Sequence, residues 1–285
     1  MSIRSIALVI NPSRTETIAA AQALAPLLFS AGFSLYTISD VSIEGIKKVA
    51  PADLPDIEAA VVLGGDGTIL RAAEITLERG IALLGINLGN VGFMAEVNRP
   101  SITAIAESII SKSYVSEERM TLRFAIERDG KEISNGWALN EVTVERNGTT
   151  MVDLFVEIDH RPLSHWGCDG LICATPTGST AYAFSAGGPV LWPEVDGLVL
   201  LPISAHALFA RPMVVSPKSE IVVTVESSDA LVSADALRKF PLHLGDRIRI
   251  TRDIKSIKLA HVSKTLFTDR LVAKFKLPVE GWRGE

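Results

Sequence analysis

The sequence predicts an α/β domain with a parallel sheet, followed by a mostly antiparallel β-sandwich. Three observations carry this expectation. Residues 1–112 alternate uninterrupted apolar runs with helix-like segments, and strands that are apolar without alternation are those buried on both faces of a parallel sheet. From about residue 115 the apolar positions recur every second residue, as in antiparallel sheets with one face turned to a core. The length, 285 residues, suits two domains better than one.

Taken in order, residues 6–10 read as a strand, 16–31 as a helix, 33–38 and 59–63 as strands, and 69–79 as a helix. Residues 81–86 form another apolar strand, and 101–111 a helix with Pro100 at its entrance. The stretch 17–39 has no charge over 23 residues, long enough to cross a bilayer. Its Gln22, Ser30 and Ser34, with a break at Ala31-Gly32, make it a helix followed by a strand instead, so no membrane span is expected. Residues 122–128, 138–144, 154–158, 220–225 and 247–251 alternate between turn residues, with one helix-like insertion near Ser179.

Composition narrows the partners. The 28 basic and 33 acidic side chains give a net charge of −5 with no block of like charges, which speaks against nucleic acid or an anionic membrane as partner. An anionic ligand must therefore be held by local devices. Two cysteines, Cys168 and Cys173, are too few for a disulfide framework and lack the second pair of a zinc site, so a reducing cytoplasm is expected. The apolar run before Asn11-Pro12 is too short for a signal-peptide core, and export is not expected.

The strand 59–63 runs directly into Gly64-Gly65-Asp66-Gly67-Thr68 and then a helix. That is the carboxyl end of a parallel strand, where open α/β sheets bind ligands. Three glycines in four residues allow positive φ and close backbone approach, and their amides beside a helix N-terminus suit a phosphate. The loop matches neither a P-loop nor Gly-x-Gly-x-x-Gly. A carboxylate inside an anion site repels its ligand unless it holds a metal ion or accepts a proton, so Asp66 points to phosphoryl transfer. The alternative is that Asp66 or Thr68 only caps the helix. Arg71 follows in the first turns, placed either to reach a phosphate or as a solvated surface residue. A second glycine-rich strand end, Asn87-Leu88-Gly89-Asn90-Val91-Gly92-Phe93, lies next along the chain.

In the β half, alternation through 137–144 puts Asn140 on the apolar face of Ala138, Val142 and Val144, where its amide must be satisfied by backbone or by ligand. Glu141 then falls on the opposite face unless a bulge turns the two together. Further on, Asp169-Gly170 leads through an apolar strand into Thr175-Pro176-Thr177-Gly178-Ser179-Thr180-Ala181-Tyr182-Ala183-Phe184-Ser185. Its hydroxyls at 175, 177, 179, 180, 182 and 185 and the Tyr182 ring suit a nucleotide; a capped helix packed between sheets is the other reading.

Together, the Gly-Gly-Asp-Gly loop, residues 87–93, Asn140-Glu141, Asp169-Gly170 and residues 175–189 resemble the NAD kinases in order and spacing. Residues 206–212 and the tail 267–284 extend the resemblance over nearly the whole chain. The glycine loop alone is shared with diacylglycerol-type lipid kinases and resembles that of phosphofructokinases. The Asn-Glu pair and the Thr-Pro-Thr-Gly-Ser-Thr-Ala-Tyr run are specific to NAD kinases.

The resemblance implies transfer of the γ-phosphoryl group of ATP, or of inorganic polyphosphate, to the 2′-hydroxyl of the adenosine ribose of NAD, giving NADP. It implies Asp66 as general base, a phosphate loop of Gly64, Gly65, Gly67 and Thr68, and a divalent cation, normally Mg²⁺, with no ligand set assigned. Implied NAD contacts are Asp66, Gly67, Arg71, Asn140, Glu141, Asp169, Thr180, Ala181, Tyr182, Ala183, Phe184 and Ser185. Within these, Asn140 and Glu141 would serve the diphosphate-ribose portion, Asp169 the nicotinamide end, and the Thr-Ala-Tyr run the adenine. The implied architecture is an α/β domain over 1–113, rejoined by a tail over 266–285, with a β-sandwich over 114–265, assembled as a homodimer or homotetramer.

Three positions depart from the family pattern: Gly167 replaces a basic residue two before the Asp-Gly, Leu237 a polar residue after a sandwich aspartate, and Met151 a polar contact. A lipid or sugar kinase sharing only the glycine loop, or a noncatalytic NAD-binding sensor, is the competing class. The first has little use for the Asn-Glu pair, and the second needs no base at Asp66.

Overall fold

Apolar runs that do not alternate become the parallel strands of the first unit. The computed structural model describes residues 4–86, 88, 92–95, 100–227 and 230–279. Within it the chain forms two units, Met1–Arg119 with Ser256–Glu285, and Met120–Lys255.

The first unit contains β1 (Arg4–Ile10), α1 (Thr15–Ser30), β2 (Phe33–Thr37), β3 (Lys47–Lys48), β4 (Ala59–Leu63), α2 (Asp66–Thr76), β5 (Ala82–Ile86) and α3 (Ile102–Ser111). Its strands pair in the order β5-β4-β1-β2-β3, all parallel. Every residue of β4 and β5 is buried, as their unbroken apolar character predicts. Strand order reverses between β1 and β4, since β1 is followed by β2 on one side while β4 lies on the other. Such a switch point opens a crevice at the carboxyl ends of the two strands, and the glycine loop leaves β4 there.

The uncharged stretch 17–39 is the helix and strand expected of it. α1 ends at Ser30, and Gly32 takes the left-handed conformation (φ 82°) that turns the chain into β2. No helix among the described residues is long and apolar enough to cross a membrane. α3 starts where Ser101 Oγ accepts the Ala104 N–H (3.1 Å), a serine N-cap just after Pro100.

The second unit takes up the chain within β6 (Val115–Arg128) and continues through β7 (Lys131–Ala138), β8 (Glu141–Arg146), β9 (Val152–Ile158), β10 (Arg161–Cys168), β11 (Gly170–Ala174) and α4 (Tyr182–Ser185). Then come β12 (Leu198–Ile203), β13 (Met213–Val215), β14 (Ile221–Val225), β15 (Ala230–Ala234), β16 (Arg238–Leu242) and β17 (Arg247–His261), with α5 (Phe267–Phe275) last. One antiparallel sheet runs β13-β12-β11-β8-β15-β16. The other antiparallel pairs, β10-β9, β9-β14 and β14-β17, face it across a common core. Val142, Cys173, Leu200 and Val232 from one sheet meet Val156, Trp166, Val223 and Ile248 from the other. β17 ends in the first unit, where residues 258–260 pair parallel with β5.

Candidate active site

In the first unit α2 begins at Asp66, three residues before the expected start, and so includes Gly67 and Thr68 in its first turn. The N-cap is Gly65, with no side-chain cap. The capping role considered for Asp66 and Thr68 therefore does not hold. The Asp66 carboxylate turns away from its own helix and accepts N–H groups from Phe93 (3.0 Å) and Met94 (3.2 Å). Gly92 permits this approach, because a Cβ there would strike the carboxylate.

The glycines act by leaving room, not by adopting positive φ as expected; none of Gly64, Gly65 and Gly67 lies in that region. A Cβ on Gly64 would collide with the Thr68 side chain, whereas Gly65 and Gly67 face open space. Among the described residues the N–H groups of Gly65, Asp66 and Gly67 meet no acceptor, so three amides at a helix N-terminus stay available to an anion. Arg71 is exposed and has no ion pair among the described residues. Of the second glycine-rich strand end, Asn87, Gly89, Asn90 and Val91 lie outside the described residues, as do 280–284 of the tail.

In the second unit the expected strand through 137–144 is broken. β7 stops at Ala138 and β8 begins at Glu141, so Leu139 and Asn140 form a turn. Asp235 makes the break. Its carboxylate accepts the N–H of Leu139 (2.9 Å), Asn140 (2.7 Å) and Glu141 (3.4 Å), and also binds Arg238 Nη2 (2.9 Å). The other side of the turn is held by Thr175, whose N–H donates to the Asn140 carbonyl (2.8 Å) and whose hydroxyl donates to that of Leu139 (2.6 Å). Gly178 packs so closely that a Cβ would overlap the Asn140 carbonyl. The break replaces the unbroken strand in which Asn140 and Glu141 would take opposite faces. Asn140 is 7% exposed, and its side-chain amide meets no backbone partner among the described residues, so it is not satisfied by backbone.

Glu141, Thr143 and Glu145 share one face of β8 and line a cavity of about 290 Å³ with Arg146, Tyr182 and Lys239. Burial pushes the Glu141 carboxyl up to about 8; the nearby Asp235 adds to this, and the Tyr182 N–H partly offsets it. Its Oε2 is buried without a hydrogen bond. Asp169 pairs with Arg146 (2.7 Å) beside this cavity wall, and the Tyr182 hydroxyl donates to Glu145 (3.3 Å).

The hydroxyl-rich run divides into structural and available groups. Thr175 spends its hydroxyl on the Leu139 carbonyl, and Ser179 and Thr180 spend theirs on backbone carbonyls of their own turns. Ala183 packs among Ile172, Ala174, Val199 and Leu201, whereas Tyr182, Phe184 and Ser185 are exposed and Ala181 is half-buried. Sequence reasoning missed Arg146 and Lys239, which bring cations to the cavity, and also Thr143 and Glu145. Period two along β8 starting from Glu141 would have found the latter pair. At the departure Gly167, a Cβ would lie 3.1 Å from Asp153, while Met151 and Leu237 are both exposed. Both cysteines are buried, unpaired thiols, pushed up to about 12 by burial.

The profile of the ATP-NAD kinase N-terminal domain matches residues 6–114, and that of the ATP-NAD kinase C-terminal domain matches residues 139–262. An NAD kinase of Mycobacterium bovis is 42% identical, covering 99% of both chains. One from Thermobifida fusca is 43% identical over 99% of this chain and 92% of its own. Among solved structures, a yeast NADH kinase complexed with NADH superimposes with a TM-score of 0.84 at 24% identity, over 99% of this chain and 89% of that one. An Archaeoglobus fulgidus NAD kinase in complex with ATP gives 0.67 at 24% identity, over 96% and 98%. These two likenesses speak for the fold.

Proposed function

This chain belongs to the NAD kinase family, and from that premise we propose that it transfers the γ-phosphoryl group of ATP to the 2′-hydroxyl of the adenosine ribose of NAD, forming NADP. The observation that carries the reading is the Asp66 carboxylate, held by two amides beside a helix N-terminus where the N–H groups of Gly65, Asp66 and Gly67 meet no acceptor among the described residues. Asp66 accepts the proton of the attacking hydroxyl as general base. The amides of Gly65 and Gly67 and the Arg71 guanidinium offset phosphate charge.

A divalent cation fits this site as an ion carried by the nucleotide. No cluster of three or more ligating side chains occurs among the described residues, and Mg²⁺ characteristically takes one or two carboxylates together with substrate phosphates. When bound it neutralises charge on the transferring group. Asp66 is the carboxylate placed to meet it.

In the second unit we assign Asn140, Glu141, Asp169 and residues 180–185 to NAD. The cavity suits one end of a dinucleotide, with the Tyr182 ring for the adenine and Glu141 for ribose hydroxyls. Lys239 supplies positive charge that Gly167 does not, while Arg146 is paired with Asp169. The exposed apolar side chains Trp192, Leu208, Phe209 and Val214 support a homodimer or homotetramer, and the two unpaired thiols a cytoplasmic location. Native mass measurement checks the assembly.

Incubation with NAD, ATP and Mg²⁺ should yield NADP, with a parallel arm replacing ATP by inorganic polyphosphate. No NADP in either arm, with a lipid or sugar phosphorylated instead, would overturn the reading.

A further inference from the structure

The last helix carries a buried cation into the neighbourhood of the glycine loop. α5 presents Phe267, Arg270, Leu271 and Phe275, and Phe93 lies against two of their rings, with centroids 6.0 and 5.7 Å away. Arg270 is 2% exposed. Its Nη1 donates to the carbonyls of Phe93 (2.7 Å) and Ala95 (3.3 Å), and its Nη2 lies 3.0 Å from His261 Nε2. The same ring nitrogen of His261 is 3.0 Å from Glu117 Oε1. Burial alone would raise the Glu117 carboxyl, but the His261 hydrogen bond and Arg119 outweigh it and hold it at about 2, so a fixed negative charge backs the pair.

A guanidinium is costly to bury unless its donors are used, and here Nη1 is used on backbone and Nη2 on His261. The Phe93 carbonyl it grips belongs to the same peptide group as the Met94 N–H that grips Asp66, and the Ala95 carbonyl lies two residues on along the same segment. Gly92 leaves no slack in the approach, since any side chain there would meet the carboxylate. We propose that Arg270 is a positioning residue for phosphoryl transfer: by fixing the carbonyls of Phe93 and Ala95 it sets the orientation of segment 92–95, and through it the Asp66 carboxylate. This rests on the reading of Asp66 as the general base.

The test is a double-mutant cycle on the full chain, with Arg270→Met, Arg270→Lys and Asp66→Asn assayed for NADP formation below each variant's Tm. Arg270→Met should lower kcat by about 10- to 100-fold, the cost of small misplacement of a reacting group, with KM for NAD and ATP within about threefold. Arg270→Lys, still able to donate to one carbonyl, should recover part of the loss. In the Asp66→Asn background Arg270→Met should cost no more than about threefold further, because the group it positions is gone. A merely structural role would lower Tm yet leave kcat of the folded enzyme unchanged, or multiply the two losses in the double variant; either result overturns the proposal. If Arg270→Met does not fold, the Arg270→Lys cycle carries the same decision. Failure of the general-base reading shows separately, as wild-type turnover by Asp66→Asn alone, and failure of the kinase reading as no NADP from the wild type.

Discussion

Two carboxylates in this molecule each accept a row of backbone amides, and they do different work. Asp66, half-buried in the first unit, takes two amides from segment 92–95, beside helix N–H groups that meet no acceptor among the described residues. Asp235, 4% exposed in the second unit, takes three amides and an arginine. The difference lies in what is left over. Asp66 keeps solvent access and neighbours that attract anions, so a substrate hydroxyl can reach it. Asp235 is enclosed by the turn it holds, and what it offers a ligand is the shape of that turn, from which β8 and its cavity-lining Glu141 start.

Exchanging each for asparagine separates the roles, and the largest effect belongs to Asp66. Asp66→Asn keeps size and most hydrogen bonding but removes the base, and kcat should fall at least ~10²-fold with NAD binding roughly retained. Steady-state kinetics with a separate NAD-binding titration reads both; equal turnover would make Asp66 structural. Asp235→Asn can satisfy fewer amides and removes the negative charge that faces Arg238. It should lose about 2–3 kcal/mol in denaturant unfolding and raise KM for NAD, with kcat changed by less than about fivefold. A kcat loss matching that of Asp66→Asn, at unchanged stability, would erase the distinction.

That contrast was only half legible in the sequence. The glycine loop is local: five consecutive residues after a buried strand give its chemistry, because loop, helix start and carboxylate are neighbours in the chain. The turn at Asn140 is not. Alternation alone put Asn140 and Glu141 on opposite faces, and the group that breaks the strand, Asp235, stands about 95 residues downstream. Periodicity reports which face a residue would take in an unbroken strand, and cannot report a distant side chain that captures three amides. The same limit hid Arg270, whose partners are carbonyls about 175 residues earlier. Glycine identity was also ambiguous, since room for a neighbour and freedom of φ both select it. At Gly64 and Gly92 the requirement is room.

Glu141 gives the next test, in the ligand-free protein. Its carboxyl sits at about 8 in the fold against an ordinary value of 4.5, so the folded state binds the proton more tightly than the unfolded one. Stability from this group is present below about 4.5 and is lost as pH rises through about 8. Glu141→Gln keeps a neutral side chain at every pH. The variant and wild type should therefore unfold alike near pH 5 and diverge as pH rises, with the variant more stable by on the order of 3 kcal/mol at pH 9. A constant difference across pH 5–9 would mean that Glu141 is solvated and ionised throughout.

The smallest effect is expected at the rim of the cavity, where binding is shared and little is buried. Tyr182 is exposed, its hydroxyl 3.3 Å from Glu145, and α4 is a single turn. If the ring stacks on adenine, Tyr182→Ala should raise the dissociation constant for NAD about tenfold, in line with the worth of one aromatic contact, and leave kcat nearly unchanged. Tyr182→Phe keeps the ring and loses only an exposed hydrogen bond, so its effect should stay under about threefold. The pair tests the ring against the hydroxyl. Equal losses in both variants would assign recognition to the hydroxyl and its Glu145 partner, and unchanged affinity in Tyr182→Ala would move the adenine elsewhere, leaving Glu141 and the Asn140 turn to bind the ribose portion alone.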